Sequence, residues 1–238
     1  MTIIDTESKL ADLVLANPAL AAPMEKFGFD YCCGGQAKLI DAIEKADLNV
    51  GEVVETLAAI GYEDDGVDWA TIEIDELADR IESTHHAYLH EELPRLCKLA
   101  EKVENAHGRN HPELVELTMM MKELYVDFES HMMKEEKMLF PFIRQIAHAT
   151  TLPPVPFGTV RNPVSVMCAE HDATGEFLEK LRKLTNNYEL PDDACTSYQT
   201  LFANLQALES DTHVHVHKEN NILFPKTIEK ENELGASS

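Results

Sequence analysis

The sequence predicts an all-α protein: a four-helix bundle preceded by a small helical module. Three observations predict it. Glycine and proline are few, ten and eleven in 238 residues, and they cluster in a few places, so most of the chain is free to be helical. From about residue 72 onward, apolar residues step by alternating threes and fours through four long segments. Two of those segments carry the same phrase, which makes the bundle two similar helix pairs.

The elements follow in order. Residues 5–17, 18–27, 36–46 and 50–60 read as short helices; Asn49 is placed to cap the fourth and Gly61 to end it. These make an N-terminal module, residues 1–62, with the tight turn Asp30-Tyr-Cys-Cys-Gly-Gly35 between its second and third helices. The acidic, turn-rich residues 63–72 read as a linker. The bundle, residues 73–232, has expected helices at 73–106, 111–147, 162–187 and 192–230. Three prolines between 149 and 158 break any helix, so that stretch is the longer crossover between the pairs.

The bulk properties exclude some functions. A net charge of −23 disfavours nucleic acid and anionic membranes as partners, because both are polyanions. No apolar run is long enough to span a bilayer, and the N-terminus lacks a basic and apolar leader. Five cysteines, two adjacent, are a poor disulfide framework and point to a reducing cytoplasm.

The shared phrase places the chemistry. His131-Met-Met-Lys-Glu135-Glu-Lys-Met-Leu-Phe-Pro141 recurs at an offset of 84 as His215-Val-His-Lys-Glu219-Asn-Asn-Ile-Leu-Phe-Pro225. A spacing of four stacks imidazole and carboxylate on one side of a helix. On the second helix of the bundle, Leu114, Leu117, Met121, Leu124, Phe128, His131, Glu135 and Met138 form one stripe. On the fourth, Leu201, Leu205, Leu208, Thr212, His215, Glu219 and Ile222 form another. Both His/Glu pairs therefore enter the interior, while His213 and His217 fall on a face expected to be solvated. A buried carboxylate needs a counter-charge, and two from opposed helices can bridge two metal ions.

The remaining helices supply partner histidines. His171 lies on the stripe Val164, Met167, Thr174, Leu178 and Leu181 of the third helix. The repeat points to His86 on the first, although periodicity alone leaves His85 a close rival. The candidate metal ligands are thus His86, His131, Glu135, His171, His215 and Glu219. Imidazole with carboxylate suits iron, with manganese or zinc as rivals, and six ligands for two ions leave positions for a small molecule. The plain alternative is an acidic bundle with scattered histidines; two copies in one register, with matched partners, argue against it. A ferritin-like Glu-x-x-His occurs once, at Glu82 to His85, but becomes Met167 and Glu170 in the second half.

Cys32 and Cys33 precede Gly34-Gly35 and a helix. A thiolate near a helix N-terminus is more acidic and more reactive, so the pair is a candidate reactive centre; a small packed turn is an equal reading. Cys97 and Cys168 fall on or beside apolar stripes. Cys195 has no assigned role beyond capping the last helix.

The turn Phe29-Asp-Tyr-Cys-Cys-Gly-Gly35, followed by both histidine–glutamate phrases, closely resembles the RIC (repair of iron centres) proteins, the YtfE/ScdA/DnrN group. The resemblance covers nearly the whole chain: an ScdA-type N-terminal module, then a hemerythrin-like bundle. It implies a non-haem di-iron centre on the six residues named, with the glutamates bridging. Through the following Glu92-Leu93-Pro94 it implies His86 rather than His85. It implies restoration of iron–sulfur clusters damaged by nitric oxide or peroxide through donated iron, with Cys32 and Cys33 in the catalytic role. The implied partners are damaged or apo iron–sulfur proteins, with nitric oxide or oxygen as small ligands; a homodimer is compatible. Two other functions are compatible with the centre: reduction of nitric oxide, and oxygen or nitric oxide sensing. The sequence departs from the family in its extra histidines, His85, His90, His213 and His217, expected on solvated faces. His107 has a family counterpart and stands as an accessory ligand at most.

Overall fold

The computed structural model describes residues 4–61, 67, 69 and 71–236. Most of the expected linker lies outside them. Among the described residues there is no strand, only an isolated bridge between Lys9 and Lys38. Among the same residues no helix is long and apolar enough to cross a membrane.

The N-terminal helices are shorter than the sequence suggests: α1 (Leu10–Ala16), α2 (Ala21–Phe27), α3 (Leu39–Lys45) and α4 (Val50–Ala58). A 3-10 turn, Pro18–Leu20, joins the first two. Asn49 caps α4 as expected, its side chain accepting from the Glu52 N–H at 3.1 Å. Helix α4 stops before Gly61, at Ala58. Gly28 closes α2 in the left-handed conformation (φ 73°), and the Phe29 N–H returns to the Met24 carbonyl at 2.9 Å.

The bundle helices are α5 (residues 74–107), α6 (113–147), α7 (Arg161–Leu184) and α8 (196–236). Helix α5 packs on α6 and α8, and α6 packs on α7. The proline-rich crossover precedes α7 and is non-helical as expected, with Phe157 edge-on to Phe142 at 5.0 Å.

Three of the four helices contain one π turn each: Glu82–His86 in α5, Glu135–Leu139 in α6 and Glu219–Leu223 in α8. In α6 and α8 the turn leads directly into Phe-Pro. Proline cannot donate the next α-helical hydrogen bond, so regular α structure could not continue unbroken there. The extra residue in the turn shifts the register. Met138, expected on the buried stripe, is 59% exposed, and Leu139 takes the interior position.

The buried apolar residues form three clusters. One fills the end of the bundle with Ile81, Phe140, Ile143, Val164 and Phe224. A second fills the other end with Leu93, Leu117, Phe128, Leu178 and Leu205. The six candidate ligands, all buried, lie in the layer between these two. The third cluster is the core of the N-terminal module, and α8 adds Val216 to it.

The module therefore docks on α8. Asn221 donates to the Cys32 carbonyl at 2.9 Å, His217 Nδ1 faces the Tyr31 carbonyl at 3.2 Å, and His213 Nδ1 faces Glu25 at 3.2 Å. This overturns the solvated face expected for His213 and His217: it is an internal interface. Gly35 is required there. A Cβ would lie 2.4 Å from the Tyr31 carbonyl oxygen and 2.8 Å from the Ala11 Cβ. Gly35→Ala is expected to cost about 1–3 kcal/mol through this overpacking. Thermal melts should show the loss, and limited proteolysis should place it in the first 61 residues.

Candidate metal centre

The π turns set the inner residues. Glu135 and Glu219 begin two of them and His86 ends the third. Two groups of potential ligand atoms result, each within 4.8 Å. One is His86, Glu135, His215 and Glu219; the other is His131, Glu135, His171 and Glu219. Both glutamates belong to both groups. The structure thus brings together all six candidate ligands, in the two-position arrangement that shared carboxylates predict.

The distances suit shared ions. Glu135 Oε2 lies 3.4 Å from His86 Nε2 and 3.3 Å from His131 Nε2. Glu219 lies 3.1 Å from both His171 Nε2 and His215 Nε2. Ligands about 2.1 Å from one ion are separated by about 3.0–3.4 Å, depending on geometry. The two glutamates are fully buried, yet all four of their carboxylate oxygens lack a hydrogen-bond partner, as do His86 Nε2 and both ring nitrogens of His215. Buried carboxylates are ordinarily paired or ligate a metal. The residues fit a pair of cations.

The electrostatics agree. Burial opposes charge on His131, but Glu135 overrides it and the ring is pushed up to about 10. Burial likewise works against Glu219, but His215 and His171 hold it well below the usual carboxylate range. His86, beside Glu135, is raised against its burial as well, whereas burial lowers His215, so the two groups differ in the charge their imidazoles carry.

Outer hydrogen bonds aim the imidazoles. His86 Nδ1 pairs with Glu136 at 3.0 Å, His131 Nδ1 with Glu170 at 2.9 Å and His171 Nδ1 with Asn220 at 2.8 Å. Each leaves Nε2 facing inward. The Phe residues of the repeated phrase complete the cradle: Phe140 stacks on His86 and Phe224 on His171. Glu136 and Asn220 occupy equivalent positions in the repeat, a pairing that the offset of 84 could have revealed.

His85 is buried but has other partners. Its Nε2 accepts from Lys218 at 2.9 Å and its Nδ1 pairs with Asp211 at 2.9 Å. Its ring stacks parallel to His215 at 5.3 Å. The solvated face expected for His85 is therefore incorrect, whereas His90 is exposed as expected. Glu82 pairs with Arg144, which leaves the ferritin-like motif unassembled. His107 lies at the far end of α5, beside Tyr198 and His111, too distant to be an accessory ligand.

Cys32 and Cys33 lie in the docked turn, their sulfurs 3.9 Å apart. Helix α3 begins only at Leu39, so it does not activate them. Asp30 instead accepts from both backbone N–H groups, at 3.1 and 2.9 Å. The neighbouring Cys33, burial and Asp30 push the Cys32 thiol well up, contrary to the expected activation. Asp30, Cys32 and Cys33 form a third group with ligand spacing. They border an open cavity of about 680 Å³ that also meets Asp172, Gly175 and Glu176 on α7. Cys97 is buried as expected, and Cys168 is half-buried beside Asn220.

Cys195 precedes α8 and is exposed. It stands at the N-cap position of that helix. The Tyr198 backbone N–H, and then His107, bring its thiol down to about 7. At neutral pH Cys195 is expected to alkylate first and Cys32 last, an order that peptide mass spectrometry after brief iodoacetamide treatment would read.

Comparison with known proteins agrees with this geometry. Residues 77–227 match the hemerythrin HHE cation binding domain, and residues 6–61 match ScdA_N, described as a domain of unknown function. A probable iron–sulfur cluster repair protein of Haemophilus influenzae is 33% identical over 93% of this chain and 97% of its own length. The iron–sulfur cluster repair protein YtfE of Escherichia coli O157:H7 is 34% identical over the same shares. The chain belongs to the iron–sulfur cluster repair family. Within a repair-family chain, the cation-binding match spans both histidine–glutamate phrases and the ScdA_N match spans the cysteine turn.

Proposed function

We propose that this protein is a di-iron protein that restores iron–sulfur clusters damaged by nitrosative or oxidative stress, by donating iron. His86, His131, Glu135, His171, His215 and Glu219 hold the two ions, with both glutamates bridging. The observation that carries this reading is the pair of fully buried, hydrogen-bond-orphaned carboxylates shared between two sets of imidazoles. Bound there, iron is deliverable cargo with coordination positions left for a small ligand such as nitric oxide. Family membership supports the repair role, since the relatives carry that name.

Cys32 and Cys33 are proposed to relay or gate the cargo. Their turn docks on α8, the helix of His215 and Glu219, and the adjoining cavity offers Asp30, Asp172 and Glu176 beside the thiols. The test loads the protein with ferrous iron and mixes it with an apo cluster protein, sulfide and a thiol. Recovery of the cluster spectrum is expected, slowed in the Cys32→Ser/Cys33→Ser variant. No recovery, with wild type equal to that variant, would discard the proposal.

A further inference from the structure

The two halves of the centre differ at one outer position. In the first and third bundle helices the repeat has an offset of 85, which pairs His86 with His171, Leu93 with Leu178 and His85 with Glu170. Glu170 accepts from His131 Nδ1 at 2.9 Å and is itself held by Lys134. His85 occupies the equivalent place beside His215, with Lys218 in the place of Lys134. It presents its ring face there, and both its nitrogens are engaged elsewhere, by Asp211 and Lys218. His215 Nδ1 is therefore buried without an acceptor.

The two cation positions consequently have unequal support. At the His131–His171 position both imidazoles are backed, one by a carboxylate and one by the Asn220 amide. At the His86–His215 position only His86 is backed, by Glu136. An acceptor behind a metal-bound imidazole fixes its tautomer and orientation and raises its basicity, and losing one typically weakens metal affinity about 10–100-fold. We infer that the His86–His215 position is the exchangeable one, from which iron leaves first, and that the His131–His171 position retains its ion. The inference rests on the two-cation reading of the site. It divides the centre into a delivering and a retaining half.

The experiment loads the full chain anaerobically with ferrous iron and follows its extraction by a chromogenic ferrous chelator. Two phases of equal amplitude are expected, separated by about 10-fold in rate. Glu170→Gln should accelerate the slow phase and leave the fast one unchanged. His85→Glu, which places a carboxylate behind His215 as Glu170 stands behind His131, should slow the fast phase. His85→Gln supplies a neutral acceptor and should do the same to a lesser degree, which keeps the test open if the new carboxylate disturbs folding. A single phase in the wild type, or a Glu170 variant that alters the fast phase, would overturn the inference. A fast phase indifferent to both His85 variants would do so equally. Uptake of only one iron per chain would overturn the two-cation reading as well; two irons leaving in one phase would overturn this inference alone.

Discussion

Glu135→Gln/Glu219→Gln is expected to purify with almost no bound metal, while each single histidine variant loses only about half. The pattern follows from membership of the two groups. Each glutamate belongs to both, whereas His86 and His215 serve one position and His131 and His171 the other. Glutamine keeps the shape of the side chain and removes the charge, so a loss of metal reports the carboxylates rather than a collapsed core. Stability supplies a second readout. A ligand that binds only the folded state, at about 1,000 times its dissociation constant, stabilises it by about 4 kcal/mol. For a chain of this size that raises the melting temperature by roughly 8–16 °C. Adding ferrous iron should produce such a rise in the wild type and none in the double variant. Metal analysis with calorimetry, with and without iron, would decide it. Equal metal content in both proteins would reduce the buried pairs to structural ion pairs.

The layer of candidate ligands was legible because it obeys two independent regularities. The three-and-four spacing placed His131, Glu135, His215 and Glu219 on buried stripes, and the repeat selected His86 over His85. The structure adds the reason that periodicity could not choose: a π turn, Glu82–His86, brings both histidines into the interior, and only their partners differ. The same device defeated the expectation for Met138, since a fixed helical period cannot anticipate one extra residue per turn. The error at His213 and His217 has another origin. A polar face reads as solvent-facing when its cover lies about 190 residues away in sequence, and these histidines meet Glu25 and the Tyr31 carbonyl. The acidity expected of Cys32 rested on a local assumption. Asp30 occupies the backbone N–H groups of Cys32 and Cys33, α3 begins only at Leu39, and the neighbouring Cys33, burial and Asp30 raise the Cys32 thiol.

The docked face allows the two proposed roles, holding iron and passing it on, to be tested apart. Val216 sits between His215 and His217 but points away from the centre, into the core of the N-terminal module, where it is 3% exposed. Val216→Asp would bury an unpaired carboxylate among Leu10, Met24 and Tyr31. An uncompensated buried charge costs about 3–5 kcal/mol, which favours release of the module from α8 at a pH where the carboxylate is ionised in water. Val216→Ala removes apolar contacts alone and should cost roughly 2 kcal/mol, giving a graded series. The aspartate variant is expected to keep the wild-type iron content, because all six candidate ligands belong to the bundle. Its first 61 residues should become protease-sensitive. Its iron transfer to an apo cluster protein should slow to the rate of the Cys32→Ser/Cys33→Ser variant, since a released turn no longer holds its thiols against α7 and α8. Transfer at the wild-type rate from a protein with a released module would show that iron leaves without passing the cysteines. Loss of iron on release would show instead that the module closes the centre. Only retained iron with slowed transfer assigns storage to the bundle and delivery to the docked turn.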